Sequence, residues 1–343
     1  MMVSRYVSAV LTILFVSLSA SRARAATVTA TGACNLYDAV TTLNNATNTG
    51  SCTHTGTWRS NDTISLGSQT YNISSDLDPA VSMTIAGVST TASIVNWNGA
   101  WDGELFYLVW KPGEITLTLQ NLQLKNSSSS HYVTAVFVSG NTTYEDESAD
   151  ANAFFKGVDI HGFTASAVIA YAPKEIWFAD SSVHDNSSLT SNWPSSHPYG
   201  GAVQVYAWNY NASTRLQVDN SSFTNNSAQK GGAVYNEGTI QTTESATFEN
   251  NHATVAGGGA LYLASPSQLS GVAYAEIFSS VFEYNTCALA NGGGAIASET
   301  LSVLFTSQSD GNGWVGYNTC NGLAQDVNWS PYTCYPTHSS ICQ

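Results

Sequence analysis

Three stretches of the chain carry the same pair of motifs, and this repetition restricts the fold more than any other feature. Ser222-Phe223-Thr224-Asn225-Asn226 leads to Gly231-Gly232-Ala233-Val234. Thr247-Phe248-Glu249-Asn250-Asn251 leads to Gly258-Gly259-Ala260-Leu261, and Val281-Phe282-Glu283-Tyr284-Asn285 to Gly293-Gly294-Ala295-Ile296. A looser copy, Val183-His184-Asp185-Asn186, precedes Gly200-Gly201-Ala202-Val203, and weaker echoes occur at Leu122 to Asn126 and Val158 to Gly162. The phenylalanines are spaced by 25 and then 34 residues. One unit thus takes roughly 25 residues, with insertions bulging from some units.

Each part of the unit has a physical role in a solenoid. Phe points inward from a short strand, and equivalent residues of successive coils stack about 4.8 Å apart. Asn, three places later, leaves the strand at a turn where its amide can bond the next amide, giving a ladder of Asn186, Asn226, Asn251 and Asn285. The glycine pair permits positive φ and close backbone approach. Apolar residues alternate here and show no helical period. The expected fold is all-β: a right-handed parallel β-helix with a short N-terminal helical cap.

The paired Phe-x-x-Asn and Gly-Gly-Ala-aliphatic motifs resemble the repeats of the polymorphic outer-membrane protein family, over about Ser182 to Ala297. The resemblance implies a β-helix passenger and a role at a cell surface or in adhesion. The 46 residues after Ala297 are too few for a transmembrane barrel, so autotransport is not expected of this chain. The segment with Cys34-Asn35-Leu36-Tyr37-Asp38-Ala39-Val40, Asn61-Asp62-Thr63-Ile64 and Met83-Thr84-Ile85 is similar to the opening of many secreted β-helix proteins. There a short helix covers the open end; Leu36, Ala39, Val40 and Leu43 would form its apolar face.

The ends complete the expected organisation. Met1 to Ala25 has a basic start, an apolar run from Tyr6 to Ala20 and Ala23-Arg24-Ala25, the pattern of a cleaved secretory signal. Residues 26–60 are expected to form the cap, 61–313 the β-helix and 314–343 a disulfide-bonded closing segment. Cys34, Cys52, Cys287, Cys320, Cys334 and Cys342 suit an oxidising compartment, and sequence-near pairing gives Cys34–Cys52, Cys287–Cys320 and Cys334–Cys342. Sequons at Asn45, Asn61, Asn72, Asn126, Asn141, Asn211, Asn220 and Asn225 are candidate glycosylation sites. Removing the leader would take the formal charge from −14 to −17, a balance that repels phosphate backbones and argues against nucleic-acid partners.

The repeat register makes one face legible. If Phe points in, the next residue points out, and that column reads Lys125, His161, His184, Thr224, Glu249, Glu283. Its companion reads Gln123, Asp159, Ser182, Ser222, Thr247, Val281. Lys125, His161 and His184 are candidate acids or bases for uronate β-elimination, and Glu249 with Glu283 a candidate carboxylate pair for glycoside hydrolysis. Trp193, Tyr199, Tyr206, Trp208 and Tyr210 crowd one insertion and Trp97, Trp101, Tyr107 and Trp110 another, as sugar-stacking candidates. No metal motif or cofactor is expected; Glu145-Asp146-Glu147 with Asp150 offers oxygen for Ca²⁺ without a set ligand spacing. The reading is a secreted, extracellular or cell-surface β-helix protein, adhesive, structural or glycan-binding. Its partners are glycans or surface proteins, and a polysaccharide lyase or glycoside hydrolase is the alternative.

Overall fold

In a computed structural model, the described residues are 25–58, 61–109, 113–128, 130–140, 150–188, 198–207, 214–242, 245–264, 274–288, 292–299, 302–306, 314–324, 327–328 and 333–335. They form a parallel β-helix. A representative coil runs from Arg215–Asp219 on the first sheet to Ser222–Thr224 on the second. It continues through Ser227–Ala228 on a short fourth sheet to Val234–Asn236 on the third. Each strand pairs in parallel with its equivalents above and below, as Phe223 does with Val183 and Phe248. Among the described residues only the two ends pair antiparallel: Thr27–Ala30 with His54–Thr55, and Thr319–Cys320 with Leu323–Ala324.

The corners follow from residue chemistry. Asn121, Asp180, Asn220 and Ser245 take positive φ between the first and second sheets, and Asp185, Asn225 and Asn250 do so after the second. Asn and Asp tolerate this left-handed conformation better than other side chains because they bond locally to the backbone. The glycine corner is set by space. A Cβ on Gly232 would lie 2.1 Å from the carbonyl oxygen of Gly259, so a side chain there would force the coils apart.

The phenylalanines stack as the repeat predicts. Phe223 and Phe248 lie 5.0 Å apart between centroids, Phe248 and Phe282 4.6 Å, with near-parallel rings. Beside them runs the amide ladder. Asn186, Asn226 and Asn251 each donate from Nδ2 to Oδ1 of the next Asn, and Asn285 donates at 2.9 Å to Asn318. The second Nδ2 donor bonds a backbone carbonyl, that of Phe223 for Asn251, and each Oδ1 also accepts the N–H of the preceding rung. Every amide is thus satisfied while fully buried, as a low-dielectric interior requires.

The ends differ from the expected boundaries. Pairing continues through Trp314–Gly316 and Thr319–Cys320, inside the expected closing segment, because Val315 and Asn318 take the Phe and Asn positions of one more coil. At the other end Thr27–Ala30 already belongs to the first sheet, inside the expected cap. The helix Leu36–Asn45 buries Leu36, Ala39, Val40 and Leu43 as expected, and Thr42 in addition. Asn35 caps it, its Oδ1 accepting the Asp38 N–H at 2.8 Å. Cys34–Cys52 and Cys287–Cys320 are bonded; Cys334 lies on the strand Thr333–Tyr335, and Cys342 falls outside the described residues.

Phe248→Ala should lower unfolding stability by about 3–5 kcal/mol through cavity formation. Asn251→Ala should cost at least about 1–3 kcal/mol, since it strands the Asn226 amide and the Phe223 carbonyl. Glu249→Gln, on the outward column, should stay within about 0.5 kcal/mol. Urea denaturation of the three variants checks this order.

Candidate functional site

The two outward columns stand as the register requires. Lys125, His161, His184, Thr224, Glu249 and Glu283 are mutual neighbours on successive coils, as are Gln123, Asp159, Ser182, Ser222, Thr247 and Val281. Where the two columns meet at Asp159 and His184, the side chains form a bonded cluster. His184 Nε2 lies 2.9 Å from Asp159 Oδ1 and its Nδ1 2.7 Å from Asp185 Oδ2. Gln123 Nε2 donates to the other Asp159 oxygen at 2.8 Å.

This geometry separates the two histidines. The hydrogen bond to Asp159, followed by that to Asp185, outweighs burial and lifts His184 from 6.5 to about 9. Burial opposes ionisation of Asp159, but the bonds from His184 and Gln123 prevail and hold its carboxyl below the usual range. His161 stacks on His184 at 5.0 Å with rings nearly parallel. Burial pushes its pKa down, and the neighbouring His184 and Lys125 charges add to that. His161 is therefore neutral and makes no side-chain hydrogen bond among the described residues, while His184 is a clamped imidazolium.

The cluster borders a groove of about 950 Å³ along the corner between the first and second sheets. The exposed corner residues Asn121, Asp180 and Asn220 line it, together with the half-buried Ser182, Ser222 and Thr247. Asn220 Nδ2 donates to Asp180 Oδ1 at 2.7 Å across adjacent coils. Hydroxyls, amides and carboxylates thus line a path over several coils, a surface fitted to hydrogen-bond a hydroxyl-rich ligand.

Other candidates fall elsewhere. Glu249 and Glu283 are in register one coil apart, beyond the groove, and Glu249 Oε1 accepts from Asn250 Nδ2. Tyr206 does not present an open face: it is 7% exposed and stacks on Tyr171 at 4.7 Å. Tyr199 packs on Tyr235 at 4.6 Å, with Lys230 Nζ 5.1 Å from its centroid. Parallel coils bring tyrosines over one another, and their faces meet each other before solvent. Trp97 is fully buried, whereas Trp101 is exposed. Trp193, Trp208, Tyr210, Trp110 and Glu145 to Glu147 lie outside the described residues.

Of the sequons, Asn45, Asn61, Asn72, Asn220 and Asn225 are exposed. Asn126 is half-buried and bonds Ser128 through both its amide atoms. Asn141 and Asn211 are outside the described residues. Asp150 pairs with Lys174 at 3.5 Å, and no metal-binding group of three or more His, Cys, Asp or Glu occurs among the described residues. No helix of the described residues is long and apolar enough to cross a membrane.

The His184 pKa carries a stability consequence. Its folded value exceeds the ordinary 6.5, so its contribution is complete below about pH 6.5 and is lost as pH rises through about 9. The stability difference between the wild type and His184→Gln should therefore be largest near about pH 6 and shrink by about pH 10. Paired urea titrations across that range measure it.

Residues 220–237, a coil without its first-sheet strand, match the Chlamydia polymorphic membrane protein repeat. No curated protein matches the chain. Among solved structures, Geobacillus virus E2 ORF18 is similar at 10% identity and a TM-score of 0.40, over 80% of this chain and 52% of the viral one. This chain thus spans about half the length of that protein. The A-module of the Azotobacter vinelandii mannuronan C-5 epimerase AlgE4 is similar at 10% identity and a TM-score of 0.25, over 80% of this chain and 91% of the module. These two are likenesses of chain path and assign no role to any residue here.

Proposed function

We propose that this is an extracellular or cell-surface β-helix protein that holds a neutral, hydroxyl-rich glycan in the groove beside His184. The observation that carries the reading is the groove itself, long, open and lined by Ser182, Ser222, Thr247, Asn121, Asn220 and Asp180. The two disulfides suit an oxidising compartment, and the repeat matched at residues 220–237 is one named for membrane proteins. A formal charge of −14 disfavours long polyanions at a distance, which selects a neutral chain.

A second reading has its own observation. Neutral His161 stands in register between Lys125 and the His184 imidazolium, a base flanked by two cations. Such a row fits β-elimination on a uronate. The cations would hold the carboxylate, and His161 would take the ring proton beside it. That electron pair would form the ring double bond as the glycosidic oxygen departs and gains a proton from water.

Titration of the wild type with neutral and uronate polysaccharides separates the two. The binding reading expects association with a neutral polysaccharide, lost in Ser222→Trp, which fills the groove, with the thermal melt unchanged. Failure to bind any neutral polysaccharide contradicts it. Ultraviolet-absorbing unsaturated products from a polyuronate, abolished in His161→Gln, would establish the second reading in its place.

A further inference from the structure

Beyond the corner from His184, the outward face of the first sheet carries an aromatic pair that the repeat does not account for. On Ala151–Lys156, Glu175–Ala179 and Arg215–Asp219, the residues Ala153, Phe155, Ile176, Phe178, Leu216 and Val218 are buried inward. Alternation therefore turns Phe154, Trp177 and Gln217 outward, and they are neighbours on consecutive coils. Phe154 meets Trp177 edge-on at 5.8 Å, and both stay partly exposed.

The indole is fixed in place. Trp177 Nε1 and Gln217 Nε2 both donate to Asp219 Oδ2 at 2.8 Å. The other oxygen, Asp219 Oδ1, is buried and accepts no hydrogen bond among the described residues. An unfilled carboxylate acceptor is costly, so a ligand hydroxyl that reached it would remove that penalty. An aromatic face held rigid before binding loses little freedom on contact.

The platform adjoins the groove on the same strand. Trp177 is followed by Phe178, buried beneath, then by Ala179, and next by Asp180 and Ser181, which line the groove. Trp177 to Ala179 is about 7 Å along a strand, the scale of one sugar ring. Ala179 sits between Lys156 and Asp219 on adjacent coils, a low point between two larger polar side chains.

We propose that Phe154, Trp177 and Asp219 form a second glycan subsite, taking the apolar face of a pyranose ring on the indole and a ring hydroxyl on Asp219. This rests on the groove reading above and extends it: a chain leaving the groove crosses Ala179 to reach Trp177. Its occupant is a sugar and not a protein surface because the aromatic patch is one pair wide, hemmed by Gln217, Lys156 and Asp219. A protein interface needs a broad desolvated centre.

The test titrates the full chain with cellohexaose, laminarihexaose, mannohexaose and xylohexaose by calorimetry. The variants are Trp177→Ala, Trp177→Phe and the groove-blocking Ser222→Trp, each checked by thermal melt. For a hexasaccharide that the wild type binds, Trp177→Ala should weaken affinity about five- to tenfold, while Trp177→Phe, which keeps a ring, should lose less. Unchanged affinity in Trp177→Ala, with loss in Ser222→Trp, overturns the subsite and leaves the groove reading standing. Equal losses in Trp177→Ala and Trp177→Phe would overturn stacking as its basis. If none of the four hexasaccharides binds the wild type, the subsite and the groove reading fall together.

Discussion

The structure depends on the buried amide ladder of Asn186, Asn226, Asn251, Asn285 and Asn318. Hydrophobic burial favours any stack of coils whose inward residues are large and apolar, but burial has no direction and does not select a register. The ladder does. Each amide has two donors and one acceptor, and all find partners only when each Asn lies directly over the next. A slip of one residue would bury unsatisfied amides at every rung and turn each phenylalanine outward. Phe223, Phe248 and Phe282 supply the attraction, and the amides fix the alignment.

That alignment creates the candidate site. Columns of outward residues are consequences of register, so Lys125, His161 and His184 come into line although 36 and then 23 residues separate them in sequence. Proximity then differentiates like residues. His184 acquires two carboxylate partners and a lasting positive charge, while His161, one coil away, is left neutral by burial and by the cations beside it. The corner residues Asp180 and Asn220, needed for their left-handed backbone, also line the groove. Turn chemistry and binding chemistry coincide there.

The sequence revealed most where the repeat was densest. Phe and Asn positions of the second sheet, the outward columns and the Cys34–Cys52 and Cys287–Cys320 bonds were all readable, because each depends on spacing alone. The extra coil at Val315 and Asn318 was obscured because Val replaces Phe and the glycine pair does not recur. The Asp159–His184–Asp185 cluster was half visible: both columns were written out, but side-chain reach between them was not. Tyr206 misled because sequence shows an aromatic-rich insertion without showing that parallel coils place one tyrosine upon another. Trp177 and Asp219 passed unnoticed since first-sheet strands share only alternation, with no fixed residue to mark their register.

Pairwise cysteine substitution on the outward column tests the register most directly. Cys287 and Cys320, bonded across neighbouring coils with Cα atoms 4.4 Å apart, show that register partners here lie within disulfide reach. Thr224→Cys with Glu249→Cys should therefore form a bond on mild oxidation, seen by non-reducing peptide mapping. Thr224→Cys with Glu283→Cys, two coils apart and about 10 Å distant, should not. A bond in the second pair and none in the first would contradict the register, and with it the ladder, the columns and the groove.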